Sequence, residues 1–134
     1  MMRYIFIFLF LLLSANMKAP TDNSLIIPVG VFMAPYESIW RAVTIVESSG
    51  NRFAYNRAEN AVGIVQIRSI RIKDFNIRSG KRYKLVDMYD TVKAKEVFLF
   101  YCKGKDFDKI IRDWNGSGYK TYEYLNKVKK YLTN

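Results

Sequence analysis

The chain has 134 residues, 50% of them hydrophobic and 16% aromatic, and a formal net charge of +10. So apolar a composition excludes a disordered protein, and the length suits one domain with a sizeable core. It has no histidine and a single cysteine, Cys102, which excludes Ser-His triads, Cys-His dyads, histidine-ligated metals and an internal disulfide framework.

Arg3 followed by the apolar run Tyr4 to Leu13 reads as a secretory signal over residues 1–19. Ten apolar residues are short for a bilayer span, so export is expected, with an uncleaved N-terminal anchor as the alternative. The expected location is the periplasm, the cell envelope or the medium, with membrane contact only through an uncleaved segment. Export points the basic charge away from nucleic acid and toward an anionic lipid or a carboxylate-bearing wall polymer; a merely solubilising surface is the plainer reading. Residues 20–35, with Pro20, Pro28, Gly30 and Pro35, read as an irregular lead-in.

Ile39, Trp40, Val43 and Val46 recur at helical steps and predict an amphipathic helix over 36–48, ended by Ser48, Ser49 and Gly50. Glu47 falls in its last turn, where the negative end of the helix dipole and burial beside Val43 and Val46 both raise a carboxyl pKa. Taken alone, a helix-end glutamate is an ordinary surface residue. Arg52 to Ala61 is polar and reads as irregular. Gly63 to Ile67 is either extended or the opening of a helix that runs through Ser69 to about Phe75, and Gly80 marks a loop. Asp90 reads as the N-cap of a helix over 91–103, stopped by Gly104, with Val92, Val97, Leu99 and Phe100 on its buried side. A shorter helix spans Phe107 to Trp114 and breaks at Asn115-Gly116-Ser117-Gly118. The last, over 121–132, carries Tyr124, Leu125, Val128, Tyr131 and Leu132. The expected architecture is a compact, mainly α domain over 36–134, with room for a short extended segment near 61–67.

The order Glu47-Ser48-Ser49, Asn51, Ala54, then Gly63, Gln66 and Ile67 resembles the first two signatures of the lytic transglycosylase SLT domain, which shares the goose-type lysozyme fold. Asp113 to Gly118 is similar to that family's Ala-Tyr-Asn-Ala-Gly loop, and Tyr124 to Val128 to its closing Tyr-Val-x-Lys-Val segment. The likeness covers roughly residues 36–132. It departs from the family at one extra residue between Asn51 and Gly63, at Trp114 for tyrosine, at Gly116 for alanine, and at Arg68-Ser69 in place of Met-Pro. These changes bear on the groove floor and leave the acid in place.

The resemblance implies a peptidoglycan lytic transglycosylase of lysozyme-like fold. Glu47 would act as general acid and then base, with no metal or cofactor. Two-carboxylate glycosidases need a second acid, and none of Asp74, Asp87, Asp90 or Asp113 has a sequence context that marks it as the partner. Around Glu47, Ser48 either hydrogen-bonds the carboxyl or caps the helix, and Gln66 either contacts a sugar N-acetyl group or ties down a loop. Asn115 either lines the groove or serves the turn. Trp114 offers a face for sugar stacking or belongs to the core. Periodicity reads Tyr124 as core, while the resemblance turns its hydroxyl toward Glu47. Tyr55 and Tyr119 are rim candidates. The expected partner is the glycan strand, in general wall turnover or in the service of a secretion, conjugation or phage apparatus. A lysozyme-type muramidase and a non-catalytic wall-binding scaffold are the alternatives.

Overall fold

The first helix, α1 (Val29–Ser48), is a largely apolar stretch whose charged residues are Glu37, Arg41 and Glu47. The computed structural model describes residues 29–132, with side chains from Tyr36. The expected signal over 1–19 and the first part of the lead-in lie outside the described residues. The irregular lead-in is corrected over 29–35, which are helical. Proline's fixed φ is itself helical, so Pro35 removes one backbone hydrogen bond without driving the chain out of the helix.

Beyond α1 the chain makes three two-residue strands, β1 (Tyr55–Asn56), β2 (Ala61–Val62) and β3 (Ile67–Arg68). They form an antiparallel sheet in that order, with Tyr55 opposite Val62 and Val62 opposite Ile67. The irregular reading of 52–61 is thereby corrected, and 61–67 is extended at its ends around a turn. Next come α2 (Ser69–Ser79), a 3-10 turn over Leu85–Tyr89, α3 (Thr91–Cys102), α4 (Phe107–Asn115) and α5 (Lys120–Lys129). The result is mainly helical with a small sheet.

Helix starts follow the expected chemistry. The Asp90 carboxylate accepts from the N–H groups of Val92 and Lys93, and Asp106 caps α4 through Lys109. The α3 helix packs against α1, α2 and α4, while α5 lies on α4 and α1. Its buried stripe is Ala94, Val97, Phe98 and Cys102, at helical spacing. Val92 is 79% exposed, a correction with a simple cause: five residues before Val97, it stands about 140° round the helix from it at 100° per residue. Leu99 and Phe100 are only partly buried. The core joins this stripe to Ile39, Trp40 and Val43 of α1, Ile111 and Trp114 of α4, and Leu125 and Val128 of α5. No helix among the described residues is long and apolar enough to cross a membrane.

Gly63, in left-handed backbone at φ 83°, opens the turn between β2 and β3 hard against the 3-10 turn. A Cβ there would lie 2.1 Å from the Met88 carbonyl oxygen, which is backbone and cannot swing aside. Gly63→Ala is therefore expected to destabilise the fold by about 3 kcal/mol, read as a lower urea midpoint. Gly50→Ala, where an added Cβ meets nothing within 4 Å, should cost about 1 kcal/mol from its positive φ alone.

Candidate active site

The end of α1 is turned by two consecutive left-handed residues, Ser49 (φ 54°) and Gly50 (φ 79°), and the Gly50 N–H returns to the Thr44 carbonyl. This stops the helix one residue after Glu47 and leaves its half-buried carboxyl in a cleft of about 490 Å³. Tyr124, on α5 and 7% exposed, donates its hydroxyl to Glu47 Oε1 at 2.6 Å. The packing of α5 on α1 thus brings this tyrosine to the acid. Tyr124 is a core residue as well, its ring buried and its hydroxyl at the cleft.

Burial raises the Glu47 pKa above the ordinary carboxylate value. The Tyr124 hydrogen bond and the positive charges of Arg68 and Arg71 pull it back in part, while Glu59 adds to the rise. Burial, with the Glu47 charge beside it, also raises the Tyr124 pKa, so this hydroxyl stays a neutral donor. The pair is a desolvated acid with one fixed hydrogen bond.

Three of the other expected site residues converge on the turn over 63–66, whose three leading carbonyls each receive a side chain. Gln66 Nε2 donates to the Gly63 oxygen at 2.9 Å and reaches Ala54 O at 3.3 Å. The Ser48 hydroxyl donates to Ile64 O at 2.7 Å, and Trp114 Nε1 donates to Val65 O at 3.2 Å. Ser48 therefore neither bonds the carboxyl nor caps the helix; it ties the helix end to the turn and does not line the cleft. Gln66, itself left-handed at φ 52°, ties down the loop with its amide nitrogen while lining the cleft.

Trp114 is 6% exposed, edge-on to Phe98 at 4.9 Å, with the Arg71 guanidinium 4.0 Å from its ring centroid. Its ring packs into the core and against Arg71, and Trp114 also lines the cleft. Asn115, half-buried at the end of α4, lines the cleft. Tyr55 and Tyr119 are 54% and 78% exposed; Tyr55 adjoins Asn56 of the cleft wall, and Tyr119 follows the Gly116 segment.

Four charged residues that are not among the expected site residues line the cleft: Glu59, Arg68, Arg71 and Lys127. Arg68 pairs with Glu59 at 3.3 Å. One of them follows from spacing, because Lys127 is three residues after Tyr124 on α5, which puts the two on one helical face. Nothing in the sequence marks Glu59, which a turn alone carries to the cleft. Behind Trp114 and Arg71 lies a second cavity of about 240 Å³ reaching Cys102. Burial raises that thiol to about 12, which leaves it an inert core residue.

No family model, curated protein or solved structure matches the chain.

Proposed function

We propose that this protein is an exported peptidoglycan lytic transglycosylase of lysozyme-like fold, with Glu47 as its single general acid and base. The observation that carries the reading is the Glu47–Tyr124 pair in the cleft: a carboxyl with a raised pKa, held at 2.6 Å by a neutral hydroxyl. The cleft volume lies in the range of ligand sites. A small sheet beside a helical body, and the convergence of motif residues on one turn, also support it.

The chemistry needs one carboxyl used twice. Glu47 gives its proton to the glycosidic oxygen between N-acetylmuramic acid and N-acetylglucosamine as the C1–O bond breaks, and the departing sugar leaves as an alcohol. The muramoyl acetamido oxygen bonds to C1, a recognised alternative to an enzyme nucleophile. Glu47, now ionised and stabilised by the Tyr124 hydroxyl and the nearby arginines, takes the proton of the muramoyl C6 hydroxyl. That oxygen displaces the acetamido oxygen from C1 and closes the 1,6-anhydro ring, leaving Glu47 protonated for the next turn. The chain's role is to keep the acid dry, oriented and singly hydrogen-bonded.

Mass spectrometry of digested peptidoglycan tests this directly. The expected product carries 1,6-anhydromuramic acid; muramic acid with a free reducing end as the only product would overturn the assignment. A second reading rests on Glu59, which brings a second carboxylate to the same cleft. On that reading the protein is a muramidase with Glu59 activating water. Glu59→Gln separates the two: the transglycosylase retains its anhydro product, whereas the muramidase loses cleavage.

A further inference from the structure

Arg71 is a half-buried cation with no carboxylate paired to it. Eight ion pairs form among the described residues and none includes it. Its Nη2 donates to the Trp114 carbonyl at 2.7 Å and approaches that of Asp113 at 3.4 Å. Its guanidinium lies 4.0 Å from the Trp114 ring centroid and 5.2 Å from that of Tyr101. These contacts fix the plane of the group and use one of its nitrogens. They supply no negative charge, and burial lowers the Arg71 pKa accordingly. A guanidinium remains charged under these conditions, so desolvation without an ion partner leaves it poised for an anion.

Arg71 lines the same cleft as Glu47; the second cavity that it also lines already holds the carboxylates of Asp74 and Asp113, so an anion is best accepted from the cleft. Arg68 and Lys127 add positive charge there, and only Arg68 is offset, by Glu59. With Glu47 protonated, the cleft carries three cations against one carboxylate. A neutral glycan has no use for such a surface. An acidic one gains a charge-assisted and geometrically fixed contact.

We infer that Arg71 is a specificity-determining residue that binds a carboxylate borne by the muramoyl unit of the glycan, so that the cleft selects anionic over neutral chains. The inference rests on the proposed reading for its substrate. The carboxylate has two sources: the lactyl group of a peptide-free muramoyl residue, or the stem peptide of a substituted one.

Four glycan preparations distinguish them: peptide-free chains, peptide-bearing chains, and each of these with its carboxylates converted to neutral amides. Binding is read by tryptophan fluorescence on Glu47→Gln protein, and cleavage on the wild type. Blocking the carboxylates is expected to weaken binding about tenfold or more, the scale of one charge-assisted hydrogen bond. The peptide-free or the peptide-bearing pair will show it, according to the source. In Arg71→Met, on the same Glu47→Gln background, charged and amidated chains should bind alike, and Arg71→Lys should restore part of the difference. Equal affinity for charged and amidated chains in the Arg71 protein overturns the inference without requiring any Arg71 variant to fold. So does discrimination that survives in Arg71→Met, which would assign it to the general basic surface. Charge-dependent binding with no cleavage of any chain removes the catalytic reading and leaves this one standing. Cleavage with no charge dependence does the reverse.

Discussion

Glu47→Gln is expected to lower bond cleavage by roughly 10²–10⁴-fold, the range contributed by one positioned general acid. The amide matches the carboxyl in size and still accepts the Tyr124 hydrogen bond, but it has no acidic proton to give. Undiminished turbidity loss from purified cell walls would remove Glu47 from the chemistry. The same variant has an opposite effect on stability, and its sign is fixed by the raised pKa. In the folded state Glu47 holds its proton to higher pH than in the unfolded chain. The stability this gives the wild type is fully present below the ordinary value of 4.5 and is lost as pH rises through the raised one. Glutamine has no such dependence. The Tm of Glu47→Gln should therefore climb relative to wild type as pH rises from 4.5 through the raised pKa, and a flat or falling difference would contradict the desolvated carboxyl.

Tyr124→Phe removes the hydroxyl and keeps the buried ring, so the fold should lose only about 1 kcal/mol. Activity should fall by about tenfold, equivalent to about 1.4 kcal/mol of lost transition-state stabilisation. The more diagnostic change is in the pH profile. The Tyr124 hydrogen bond lowers the Glu47 pKa, so its loss raises that pKa further. Glu47 must be protonated to begin the reaction, and the alkaline limb of kcat/KM should consequently move to higher pH in the variant. A purely structural tyrosine would change Tm and leave that limb in place.

Several of these groups are legible in the sequence for physical reasons. The α1 stripe, the Asp90 cap and the Gly50 stop are local signals, set by helical spacing and by a backbone conformation that glycine favours. The Tyr124 hydroxyl is different, since periodicity places its ring in the core and says nothing about where its oxygen ends. Of the strands, the extended ends of 61–67 are legible only as an apolar piece, and β1 is not legible, because two residues are too few to display a period of two. Ser48 and Trp114 carry side chains whose partners are carbonyls 16 and 49 residues away, and no local rule selects between a distant carbonyl and a substrate. Glu59 reaches the cleft only because β1 and β2 pair around it, with Asn56 Oδ1 accepting the N–H of Ala58 in the turn. Gly63 reads as the start of an extended piece or of a helix, yet the demand on it is the Met88 carbonyl from the 3-10 turn over Leu85–Tyr89, a segment far along the chain.

The three carbonyls of Gly63, Ile64 and Val65 are held by the turn's own Gln66 and by side chains from two distant parts of the chain, Ser48 and Trp114. In such an arrangement no anchor has an energy of its own. Once one is cut, the turn is free to shift and the remaining two lose their alignment, so the second cut removes less than the first. Combining Ser48→Ala with Trp114→Phe should thus destabilise by less than the sum of the single changes, with a coupling of about 0.5–3 kcal/mol. Once any one of the three positions has changed, change at the others costs less than it would alone. The segment that joins acid helix, sheet and α4 behaves as one unit of inheritance, spread across residues that the linear chain keeps far apart.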